Sequence, residues 1–159
     1  MKTLKSYINI RKGPSIINAT NDNIRKIIKT ELDILGYDAD LNHIDTSEVT
    51  RMRGAFSCDR HFLGRSYKNL NPDISKWDVS KVIDMVGMFW NCKNFNCDIS
   101  EWDVSNVEQM RNTFSGCRSF NQDLSGWDIN KVRLFDGMFD QCPIKEEYKP
   151  KLNYSKYNR

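Results

Sequence analysis

Five cysteines, two histidines and a recurring set of aspartates are the residues whose types and spacing could carry chemistry in this chain. An odd number of thiols cannot all pair, no C-x-x-C occurs, and only His43 and His61 could offer imidazole to a metal, so neither a disulfide framework nor a zinc site is expected. Cys92, Cys117 and Cys142 recur at a 25-residue interval. Equivalent residues of paired strands lie about 5 Å apart with parallel Cβ vectors, beyond the usual 3.5–4.5 Å Cβ separation of a disulfide, so these three are expected to be reduced, buried thiols acting as small hydrophobes. Cys58 and Cys97 fall off that interval, and a reactive thiol would be sought there first. Asp73, Asp98 and Asp123, with Asp78, Asp103 and Asp128, lack the Asp-x-Asp-x-Asp-Gly loop of a calcium site and read as turn residues that accept backbone N–H groups or stay solvated. Neither a nucleophile elbow nor H-E-x-x-H nor a phosphate-cradling glycine loop is present. No enzymatic activity, metal or cofactor is expected.

The elements that must position these residues follow from a repeat. DISKWDVSKVIDMVGMFWNCKNFN at 73–96, DISEWDVSNVEQMRNTFSGCRSFN at 98–121 and DLSGWDINKVRLFDGMFDQC at 123–142 align with a period of 25. A degenerate copy containing Leu41, Ile44, Val49, Met52 and Phe56 precedes them at an offset of 33, its extra residues lying in SCDRHFLGRSYKN. Within a copy, Ile99-x-x-Trp102-x-Val104 has the spacing of a short leucine-rich-repeat strand, and Val107-x-x-Met110-x-x-x-Phe114 steps by 3 and 4 like one face of a short helix. Ser105 and Glu108 have capping-box spacing at the junction. Trp77, Trp102 and Trp127 could offer a stacking platform for bases or sugars, but their register makes them core residues. The expected fold is an α/β repeat solenoid, a leucine-rich-repeat-like right-handed stack of about four strand-plus-short-helix units with an N-terminal helical cap.

The expected organisation is an N-terminal segment and capping helix at 1–40, repeats at 41–73 (with the insertion), 74–98, 99–123 and 124–142, and a basic Tyr/Lys tail at 143–159. Thr20 to Asn23 offer cap residues, Ile24, Ile27, Ile28, Leu32 and Leu35 an apolar face, and Gly36 a stop. SYINI and Gly13-Pro14 read as an extended segment and a turn. At 159 residues there is length for one domain, and the net charge of +3 hides an acidic repeat region between basic ends. No apolar run suits a signal peptide or a membrane span, so a cytoplasmic, reducing location is expected, the host cytoplasm if the protein is phage-encoded.

WDVSKVIDMVGMF, WDVSNVEQMRNTF, the following cysteine and FNQDLSGW resemble the repeats of the BspA-like, or mycoplasma-type DUF285, family over about residues 41–142. That resemblance implies a leucine-rich-repeat variant used in protein binding, often on bacterial surfaces and in arrays encoded by parasites, phages and large viruses. It implies no catalytic residues. Against that family pattern, no export signal, lipoprotein cysteine or long array is expected for this chain.

The leading expectation is a non-enzymatic protein-interaction module that is monomeric when free, binds one protein partner and engages no membrane. Its candidate binding residues are Lys76, Asp78, Glu101, Asp103 and Asp128 on outward positions, with Arg60, His61, Arg65 and Tyr67 in the 57–69 insertion. An interface of about 800 Å² per partner would need the insertion or a cap as well as the strands. Asn, Lys and Ile richness and the short array point to a phage or mobile-element protein that masks a host factor. Two alternatives stand beside it: a nucleic-acid accessory protein using Lys2, Lys5, Arg11, Lys12, Arg25, Lys26 and Lys29 or the Lys/Tyr tail, and a surface adhesin.

Overall fold

The computed structural model of the chain describes residues 15–151. The readings made at SYINI, at Gly13-Pro14 and at the end of the basic tail lie outside them. Helix α1 spans Ile24–Leu35 and turns Ile24, Ile28 and Leu32 into the core. Asn23 precedes it and accepts the Thr20 N–H on its side-chain oxygen (2.7 Å), fixing the entry without capping the helix itself. Gly36, at φ +100°, stops it and donates its N–H to the Leu32 carbonyl (3.0 Å). Leu35 does not join the apolar face as expected and stays exposed. Strands β1 (Ile17–Asn18) and β2 (Ile44–Asp45) pair in parallel, with Ile17 opposite Ile44.

The expected four-repeat α/β solenoid is overturned by this list of elements. Among the described residues there is one α-helix and one sheet of two short strands, with 3-10 turns at Arg65–Tyr67 and Glu146–Tyr148, and the chain is a small mixed domain. Neither the strand expected at 99–104 nor the helix expected at 107–114 forms. The hydrogen bonds give the reason. In the copy at 74–98 the amides of Met85, Gly87, Phe89 and Asn91 donate sideways to the carbonyls of Gln109, Arg111, Thr113 and Ser115 at 2.8 to 2.9 Å. The alternate amides of Met88, Trp90 and Cys92 donate back three residues within their own turns. No run of amides is left for the i to i−4 pattern of an α-helix. Left-handed conformations at Gly87, Asn91, Asn112 and Gly116 interrupt any continuous helix as well. The 3- and 4-residue steps therefore come from successive tight turns. Ser105 caps nothing; its amide donates to the Asp103 carboxylate (3.0 Å).

The 25-residue period survives as columns through the core. Phe56, Phe89, Phe114 and Phe139 lie ring over ring at 5.4 to 5.5 Å, and Phe95 and Phe120 form a second column whose rings approach the first to 4.0 and 4.5 Å. Such pairs add about 0.5–1.5 kcal/mol each beyond their burial. Trp77, Trp102 and Trp127 are core residues, and their indole N–H groups reach the carbonyls of Leu41, Ile74 and Ile99 in the preceding copy (3.0 to 3.3 Å). An asparagine column closes another side. Asn71 accepts the Asn96 N–H, Asn96 that of Asn121 and Asn121 that of Lys145, at 2.8 to 3.0 Å.

Candidate functional site

The outward aspartates are fixed by the turns they build. Asp78 accepts the Ser80 N–H and hydroxyl (2.9 and 2.7 Å), Asp103 the Ser105 N–H and Asp128 the Asn130 N–H (both 3.0 Å). These are Asx turns, in which a short carboxylate replaces a backbone acceptor. Hydrogen bonds from Ser105 hold the Asp103 carboxyl below the usual aspartate range, and bonds from Ser75 and Ser125 do the same for Asp73 and Asp123. All six aspartates remain exposed, as do Lys76 and Glu101. Lys76 and Asp78 line a shallow cleft of about 220 Å³ with Asn42, His43 and Asp45.

The insertion splits into an outer and an inner part. Arg60, His61 and Arg65 are exposed, with the Arg60 Nε 3.1 Å from the His61 Nε2. Tyr67 is buried instead, 5% exposed. Its hydroxyl donates to Asp33 and accepts from Lys29 (2.7 Å), both on α1, and its ring packs against Tyr37 at 5.3 Å. Burial pushes the Tyr67 phenol up, and the neighbouring Asp33 carboxylate adds to that. Tyr67 thus clamps the insertion to the helix, with its hydroxyl taken up by α1. Leu63 is buried too, and Phe62 lies where a Cβ on Gly54 would have to sit. Among the described residues no hydrogen bond or ion pair joins Arg60, His61 or Arg65 to the Asp78, Asp103 and Asp128 row.

A third surface was not anticipated. Single parallel bridges link Arg51 to Asp84, Asp84 to Gln109 and Gln109 to Leu134. Along this ladder Ile83 is 45% and Leu134 39% exposed, two of the few large apolar side chains on the surface. Arginines flank them. Arg53 donates to Asp84 (3.0 Å) and Gln109 (3.4 Å), and Arg111 places two nitrogens on one oxygen of Asp136 (3.3 and 3.0 Å), while Arg51 and Arg133 are exposed. Asp84 is nearly buried and also accepts the Val86 N–H, which orients its other oxygen toward Arg53. Beside Arg51 and Arg53 opens a cleft of about 340 Å³, lined also by Asn21, Asp22 and Arg25. Asn21 closes the ladder there by accepting the Thr50 and Arg51 N–H groups (2.9 and 3.0 Å). The sequence did carry a signal for this face. Positions 83, 108 and 133 hold Ile, Glu and Arg, so an outward column varies beside the constant Val82, Val107 and Val132.

The repeated motif that builds these ladders decides the family, since the chain matches, over residues 59–156, the family described as "Mycoplasma protein of unknown function, DUF285". The chain belongs to the DUF285 family. Searches of curated proteins and of solved structures find no match. In this DUF285 chain no group of three or more His, Cys, Asp or Glu side chains among the described residues is placed to hold a metal ion. No helix among them is long and apolar enough to cross a membrane.

Proposed function

We propose that this DUF285 protein is a non-enzymatic interaction module that holds one protein partner on the ladder face around Ile83 and Leu134. One observation supports the reading: exposed Leu134 and Arg51 stand on one ladder of parallel bridges, and exposed Ile83, Arg53, Arg111 and Arg133 lie within two residues of its members along the chain. Arginine is enriched at protein interfaces, and the fully buried centre of an interface is more apolar than the rest of the surface. Arg53 is paired with the nearly buried Asp84 and so has less freedom to lose on binding, while the Arg111–Asp136 pair is exposed and holds its arginine weakly. The Asp78 row supports a weaker case, because its carboxylates are engaged in their own turns. The finer reading, a phage or mobile-element protein that masks a host factor in the cytoplasm, rests on the Asn-, Lys- and Ile-rich composition.

Affinity capture from a bacterial lysate with wild type and with the Ile83→Asp/Leu134→Asp double variant, both checked by circular dichroism, tests the reading. A protein held by wild type and lost at least tenfold with the folded double variant is the expected result. Equal capture by both would overturn the assignment of the face. Capture of nucleic acid alone, released by salt, would favour the basic ends instead.

A further inference from the structure

The cysteines are not equivalent, and the difference lies in the backbone at position 58. Hydrogen-bond register places Cys58 level with Asn91, because the Cys58 amide donates to the Trp90 carbonyl (2.9 Å) as the Asn91 amide donates to that of Ser115 (2.8 Å). The residues at this level in the later copies, Asn91, Gly116 and Gln141, are all left-handed, with φ of 63°, 76° and 54°. Cys58 is not. Its side chain turns inward and fills the column next to Cys92. The two sulfurs lie 3.3 Å apart and both thiols face the carbonyl oxygen of Phe56 (3.6 and 3.0 Å). Cys117 and Cys142 bond to the carbonyls of Phe89 and Phe120 instead, and no second thiol-to-thiol bond forms among the five cysteines. The parallel Cβ vectors that keep register-equivalent cysteines apart do not apply to this pair, because Cys58 stands one residue out of register with Cys92.

We propose that Cys58 and Cys92 are a modification site, a thiol pair that a peroxide oxidises to an intrachain disulfide. The sulfurs need to close by only about 1.2 Å to reach S–S bond length. The balance is two thiols and one hydrogen peroxide to one disulfide and two waters. One sulfur is oxidised to the sulfenic acid as the O–O bond breaks and the first water leaves, and the other thiol attacks that sulfur and expels the second water. Each sulfur loses one electron in the net reaction, the two electrons reduce the peroxide, and both thiol protons end in water. Both residues are buried, and burial pushes the Cys92 thiol well up, so a small neutral oxidant is required and the reaction is slow. The bond would close a loop holding the insertion and the whole Trp77 to Trp90 segment, tying the irregular first copy to the regular ones.

The test is reduced full-length protein treated with hydrogen peroxide, then unfolded, alkylated and mapped by mass spectrometry. Loss of two of the five thiols, a Cys58–Cys92 linked peptide, recovery with dithiothreitol and a thermal midpoint raised by several degrees are expected. Cys97→Ser should leave the linked peptide intact, and Cys58→Ala should abolish it while leaving the other four thiols free. Five free thiols after treatment would overturn the proposal. So would irreversible oxidation of half-buried Cys97 ahead of any linked peptide, or a disulfide between other cysteines.

Discussion

The copies at 74–142 and the region before them solve the same problem differently. In the later copies the core is set by equivalents 25 residues away, through sideways amide bonds, the phenylalanine columns and the asparagine column, and the copy before them joins the same pattern through Phe56 and the amides of Met52, Gly54 and Cys58. The earlier region has no copy on its outer side. There, individual side chains take over: Asn21 satisfies the ladder amides, buried Glu31 meets His43 at 2.9 Å, and Tyr67 ties the insertion to α1. Redundancy is expected to stiffen the regular part, and singular contacts to make the insertion and α1 the place where local opening begins.

The largest effect that would break this comparison is in the regular part. Phe89 touches Phe56, Phe95, Phe114 and Trp102, so Phe89→Ala should cost about 3–5 kcal/mol in urea unfolding. Phe62→Ala, at the half-buried edge of the insertion, should cost distinctly less. Equal costs would mean that the two regions are not differently built.

A smaller effect comes from Gly116, at φ +76°, where a Cβ would lie 2.5 Å from the Asn91 side-chain oxygen and 3.3 Å from its Cα. Gly116→Ala should destabilise by about 1–2 kcal/mol, while Gly126→Ala, with open space around it, should be nearly neutral. Denaturant midpoints compare the two directly.

Tyr67→Phe removes the hydroxyl between Asp33 and Lys29 and should cost about 1 kcal/mol. The sharper readout is hydrogen exchange. Amides at 57–69 should exchange faster while those at 85–92 and 110–117 are unchanged; uniform acceleration would show that the two regions open as one.

The mildest contrast is with pH. Hydrogen bonds from the serines lower the folded-state carboxyl of Asp45, Asp73, Asp103 and Asp123 below the usual range. A depressed carboxyl contributes stability that is present above the unfolded value, about pH 4, and is lost as pH falls through the folded value. Thermal midpoints should therefore fall below about pH 4, and Asp103→Asn should flatten that part of the profile slightly. A profile identical to wild type would contradict the role given to this turn.

What could be read in the sequence divides along the same line. The Trp and Phe columns were legible because a period of 25 puts like residues on like residues whatever the local backbone does; of the three cysteines expected to be buried at that interval, Cys92 and Cys117 are and Cys142 is half-buried. Helix α1 was legible from Ile24, Ile28, Leu32 and the stop at Gly36. The turns at Val107, Met110 and Phe114 were not, because successive i to i−3 turns give the same apolar steps as a helix, and the left-handed preference of asparagine does not single out Asn91 and Asn112 from the chain's other asparagines or point to Gln141. Tyr67 looked like an exposed loop residue because its partners Asp33 and Lys29 lie on another element. The Ile83–Leu134 face was hidden by assigning its segments to helices, which would have pointed neighbouring side chains elsewhere.

The most direct test of the binding account is a hydrogen-exchange footprint of the chain alone and with its captured protein partner. Protection concentrated at 51–53, 83–86, 108–111 and 133–136 is the result predicted. Protection confined to 75–78, 100–103 and 125–128, or to the insertion at 57–69, would contradict it.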